Sequence, residues 1–153
     1  MATGYLEIVT TVGSSAGNIF PAGTIGVFVG CSYTNTQGQT VFSQYYPANA
    51  LNAVAFVIDD DRTVFQVQAA GTLAQAALGQ NAILQAVQST STGSTTTGNS
   101  TTAISISTNT TATYGLKIIG FVQSTTSTVG DAYTDVLVKF NIGSHAYNTG
   151  TGI

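Results

Sequence analysis

Charge is what this sequence has least of. Of its 153 residues only 6% are charged, three Lys and Arg against six Asp and Glu, for a formal net charge of −3. A typical globular domain has about 25%. Three cations cannot supply the cluster of phosphate contacts from which nucleic-acid affinity is mostly built, so nucleic acid is excluded as a direct partner. The polar surface must instead be made of Thr, Ser, Asn, Gln and Gly. Such a surface suits packing against protein or binding carbohydrate better than it suits solubility as a free monomer.

Catalytic material is almost as scarce. The chain has one Cys and one His. A single Cys31 excludes an intrachain disulfide and a Cys-based metal site, and within GVFVGCSY it reads as a small buried apolar side chain. Cys-His chemistry reduces to the pair Cys31 and His145, and a Ser-His-Asp triad would have to use the same His145, in IGSHAYNTGTGI, near an end that reads as an extended tail. There is no G-x-x-x-x-G-K-[ST] phosphate loop and no H-E-x-x-H zinc helix. With so few groups that titrate near neutrality, the expectation is a non-enzyme, without catalytic, cofactor-binding or metal-binding residues.

Long hydrophobic runs are missing too. None approaches the roughly 20 residues needed to cross a bilayer, and MATGYLEIVTTVG has no basic region leading into an apolar one. The expected protein neither spans a membrane nor is secreted by that route.

What is present is strand pattern. Nearly every apolar segment alternates with period two, or is a short β-branched and aromatic run bounded by Gly, Asn, Thr or Ser. TIGVFVGCSY and QTVFSQYYP, separated by TNTQG, read as a β-hairpin over residues 24–47. AVAFVI and TVFQVQA follow, with Phe65, Val67 and Ala69 on one face of the second. TLAQAALGQN holds the only Ala and Leu concentration suited to a helical turn or two, and NAILQAV reads as a further strand. TAISIST places Ile104 and Ile106 on one side, TYGLKIIGFVQS places Leu116, Ile118 and Val122 opposite Lys117, Ile119 and Phe121, and DVLVKFNIG alternates from Val136 to Ile142.

These runs make about eight short strands, and the expected fold is an all-β antiparallel sandwich or barrel with extended termini. At 153 residues it is one domain: an N-terminal arm over 1–23, a β core over 24–142 with a flexible low-complexity loop at 89–102, and a C-terminal tail over 143–153. Strands with apolar residues on both faces, as at Ile119 with Phe121, are either central to two packed layers or covered by another subunit.

Half of the six carboxylates fall on Asp59, Asp60 and Asp61, between AVAFVI and TVFQVQA. A wet turn joining two antiparallel strands would favour Asp, because its carboxylate bonds nearby backbone amides. Clustered oxygens also suit Ca2+, with help from Asp131 or Asp135, but three neighbours converge only if the turn curls around the ion. Tyr45, Tyr46 and Tyr133 offer either a sugar platform or packing, and Tyr114 and Tyr147 adjoin polar, Gly-rich segments.

An ordered series of phrases over roughly residues 19–147 resembles a family of small structural head proteins of tailed bacteriophages, of the cement or decoration kind. The phrases are GVFVGCSYTNTQGQTVFSQYYPA, AFVIDDDRTVFQVQA, the turn Gly79-Gln80-Asn81-Ala82, STSTGSTTTGNS, LKIIGFVQ and GDAYTDVLVKFN. The chain departs from the family at DDDR, where a Pro is more usual after the second acid. The resemblance implies the major capsid protein as partner, a homotrimer near threefold or quasi-threefold axes on the outer surface of the virion, and a role in bridging capsomers against the pressure of packaged DNA. It brings no active-site residues. The alternative left open is a carbohydrate-binding or adhesive β-sandwich displayed on a virion, with or without Ca2+.

Overall fold

In a computed structural model, residues 24–85, 93–100 and 102–141 are described, so the expected arms at 1–23 and 143–153 and part of the 89–102 loop lie outside the described residues. Seven strands form: β1 (Val27–Thr34), β2 (Thr40–Ser43), β3 (Leu51–Ile58), β4 (Phe65–Gln68), β5 (Asn81–Ala82), β6 (Leu116–Phe121) and β7 (Asp135–Phe140). They pair antiparallel in two sheets, ordered β2-β1-β3 and β4-β7-β6-β5. The fold is all-β, and the two sheets do not close into a barrel. The Ala- and Leu-rich stretch supplies a single 3-10 turn, Gln75–Ala77.

Local chemistry sets the β1–β2 hairpin. The Asn35 side-chain oxygen accepts hydrogen bonds from the amides of Gln37 (3.0 Å) and Gln39 (2.9 Å), and the Gly38 amide donates to the Asn35 carbonyl. A short Asn side chain thus mimics a backbone turn and reverses the chain.

The four-stranded sheet carries the core. Ala69, Leu73, Ala77, Ala82, Ile104, Leu116, Ile118, Val136 and Val138 are buried together, with Phe65, Val67, Leu84, Phe121 and Phe140 packed around them. Phe65 meets Phe140 edge to face, with ring centroids 5.6 Å apart. As the alternation predicts, Phe65 and Val67 face inward, opposite Val138 and Val136 in register. None of the residues of the three-stranded sheet belongs to this core cluster.

Two expectations about faces fail, each for a local reason. β6 carries a bulge between Ile118 and Gly120, whose partners Val138 and Leu137 are adjacent on β7, so Ile119 is the extra residue. The bulge inverts the alternation. Phe121 therefore packs on the core, while Ile119 is exposed. Residues 102–108 make no continuous strand; Ile104 alone bridges Ala69 in parallel and Leu84 in antiparallel. Its amide donates to Gln68 and its carbonyl accepts from Ala70, which pins it between two segments. Ile104 is fully buried and Ile106 is exposed.

Thr134 joins the loops that cover the core. Its side chain is buried, and its hydroxyl accepts from the Leu73 amide (3.0 Å) and donates to the Asp131 carbonyl (3.0 Å). Thr134→Val keeps the volume but leaves the Leu73 N–H without its partner, at a cost of about 2 kcal/mol. Urea denaturation should show that loss with an unchanged slope, and Thr134→Ser should recover most of it.

Candidate interaction surface

The aspartates do not close a hairpin, which corrects the expectation for residues 59–62. β3 and β4 lie in different sheets, so this turn carries the chain from one sheet to the other. Asp60 makes the turn: its carboxylate accepts from the Arg62 amide (2.9 Å) and the Thr63 hydroxyl (3.3 Å), and the Thr63 amide donates to its carbonyl (3.1 Å). The Arg62 amide, first among these, holds the Asp60 carboxyl below its usual range. Asp59, Asp60 and Asp61 are all exposed. Asp131 is engaged elsewhere, accepting from the Thr128 amide at 2.7 Å. Among the described residues no three Asp, Glu, His or Cys side chains come together, so the arrangement of these aspartates with Asp131 or Asp135 around an ion is not assembled.

Cys31 is buried in β1, its thiol donating to the Tyr45 carbonyl at 3.5 Å, and burial pushes that thiol above its ordinary pKa. A thiol held protonated is a poor nucleophile. His145 and Tyr147 lie outside the described residues. Tyr133 is exposed on the β6–β7 connection, Tyr45 and Tyr46 are exposed after β2, and Tyr114 is half-buried.

A cleft of about 540 Å³ opens between the start of β1 and the four-stranded sheet, against Phe65, Val67, Leu84, Val138 and Phe140, with Thr24 at one side. None of its described lining residues titrates. Its walls offer apolar contact and a few amide and hydroxyl groups, not acid–base chemistry.

The most unusual surface is the outer face of the three-stranded sheet. Strand register sets its membership. Ser32 of β1 lies opposite Phe42 and Val54, Gly30 opposite Phe56, and Thr34 opposite Thr40 and Leu51. Residues directly opposite share a face, so Phe42, Leu51, Val54 and Phe56 project together. They are 73%, 61%, 58% and 44% exposed. β2 and β3 are each about 4.8 Å from β1, which puts their backbones roughly 10 Å apart. The rings of Phe42 and Phe56 nevertheless stack at 6.4 Å and 15°, because the small Gly30 and Ser32 on the strand between let them lean over it.

β3 distributes its side chains in an order opposite to that of a self-sufficient layer. Its small Ala55 sits opposite the buried Cys31, while the large Val54 and Phe56 point away from the chain's own interior. This surface is not among the expected sites. The signal for it was nonetheless present in LNAVAFVI, eight residues with one polar side chain, too apolar for a strand with a wet face.

No protein-family model, curated protein or solved structure matches the chain.

Proposed function

We propose that the protein is a non-enzymatic structural component of a virion, a capsid cement protein that binds the outer surface of the major capsid protein shell as a homotrimer. In this role it bridges neighbouring capsomers and resists the pressure of packaged DNA. The observation that carries an associated rather than monomeric role is the outward apolar face of β2-β1-β3, which a freely soluble monomer would leave in water. The kind of partner rests on the resemblance of the sequence phrases to phage head proteins.

Other features support the same reading. A chain with 6% charged residues has a neutral Thr-, Ser- and Gly-rich surface that can lie against a shell without desolvating charge. Repeating sites on a lattice need only modest affinity each once subunits associate, since the second and third contacts become intramolecular. The carbohydrate-binding alternative draws on exposed Tyr46 and Tyr133, and its calcium-dependent form lacks a gathered ligand set among the described residues.

Light scattering on the purified protein, alone and then with capsid shells lacking it, tests the proposal. The expected result is a trimer that saturates the shells at fixed stoichiometry. A monomer indifferent to shells overturns it.

A further inference from the structure

We infer that the outer face of β2-β1-β3, centred on the Phe42–Phe56 stack, is the surface through which copies of this chain associate with one another, so that shell contact falls to a different face. The inference rests on the oligomeric cement reading and assigns a surface to it.

Size is the first argument. Taking large apolar side chains at about 150–250 Å² each, the exposed fractions of Phe42, Leu51, Val54 and Phe56 leave roughly 400 Å² of contiguous apolar surface. That is within the roughly 300–600 Å² of the largest patch on a typical monomer, a patch that is often functional, and about half of the roughly 800 Å² per partner that a stable interface covers. Thr34 and Thr40, paired at one end of the apolar centre, supply part of the polar rim such an interface carries.

Chemistry is the second. The four large side chains of this face are purely hydrocarbon, with the small Ser32 supplying the one hydroxyl between the two rings, and a largely apolar centre is the character of interfaces between permanently associated subunits. A surface that waits in solution for an assembled shell has to stay wet. Copies of the same chain are available from the moment of synthesis, so they are the occupant that can cover a dry face before any shell is met.

The sheet edge is the third. Among the described residues no strand pairs with the outer side of β3, an eight-residue edge with neither charge nor Pro. The edge strands of the other sheet are shorter: β4 has four residues, with Ile104 bridging Ala69 just beyond it, and β5 has two, with Asn109 bridging Asn81. An apolar, unguarded edge of this length invites pairing, and burial by a sister subunit is the way to control it. Asp59, Asp60 and Asp61 stand immediately beyond β3 and place three charges where further extension would otherwise propagate.

The test measures self-association and shell binding separately. Phe42→Asp and Val54→Glu alter residues that are exposed in the single chain, so each should keep the far-ultraviolet circular dichroism of the parent. Sedimentation should show self-association weakened at least roughly tenfold, the loss typical of an interface anchor. Thr125→Asp, exposed and remote in the β6–β7 connection, should leave it unchanged. Phe42→Ser repeats the test without a charge should either acidic variant unfold. Persistence of the parent assembly in these variants, or a parent that is monomeric, overturns the inference. Loss of shell binding with self-association intact also overturns it, by making this the shell-facing surface, and leaves the cement reading standing. If the parent associates and the variants do not, but none binds shells, the inference holds and the cement reading fails.

Discussion

Ile118→Ala is expected to lower the unfolding free energy by about 3–4 kcal/mol, which for a chain of this size takes roughly 10 °C from the melting temperature. Ile118 is fully buried in the four-stranded sheet, which among the described residues carries the core cluster, opposite Val138 and in one cluster with Ala82, Leu116 and Val136. Truncation forfeits the transfer free energy of three carbons and leaves a cavity that cannot collapse easily. The backbone there is tied twice to the preceding turn, the Ile118 amide donating to Gln80 (2.9 Å) and the Gly79 amide donating to Ile118 (2.9 Å). The neighbouring Ile119→Ala should cost less than about 1 kcal/mol, because that side chain stands on the exposed side of β6. Calorimetry of the two variants checks which of the two isoleucines belongs to the core. Equal losses would mean that Ile119 is buried as deeply as Ile118.

Gly26→Ala should be nearly as damaging, at about 3 kcal/mol, for a reason unrelated to burial of apolar surface. A Cβ at Gly26 would stand 2.2 Å from the Ile58 carbonyl oxygen and 2.8 Å from a Val57 methyl carbon. The first obstacle is backbone and cannot swing aside as a long side chain would. To make room, the pairing of Val27 with Ile58 has to open, at the point where β3 hands the chain to the 59–62 turn. Gly38→Ala is the comparison. Gly38 has a φ of +78° with open space around it, so Ala there meets only the left-handed backbone penalty of about 1–2 kcal/mol. Thermal melts that rank Gly38→Ala as the worse of the two would show that β1 does not approach the end of β3 this closely. Because Gly26 lies beside the sheet that carries Phe42 and Phe56, the Gly26 variant should also weaken self-association, whereas Ile118→Ala should not until it unfolds.

Much of this was readable in the sequence, and the limits follow from what a local pattern can contain. Period two in FQVQ and DVLVKF placed β4 and β7 with the correct inward residues, because alternation within one strand depends only on the pleat. TNTQG announced a reversal because Asn35 satisfies the turn with its own side chain. The poverty in titratable groups was visible at once. The surface that carries the functional proposal was missed: AVAFVI reads only as a strand, although LNAVAFVI has a single polar side chain, and nothing within it said which face would lack a cover.

The sequence by itself determined the all-β class, the sites of most of the strands, the hairpin turn and the scarcity of catalytic groups, since each of these is written in residues a few positions apart. Only the tertiary structure decided that β3 and β4 belong to different sheets, that one extra residue at Ile119 returns Phe121 to the core, and that Phe42 and Phe56 stack on an outer face. Those outcomes depend on which strands pair across long separations. A single bulge reverses every side chain beyond it, so no short window of sequence can hold the answer.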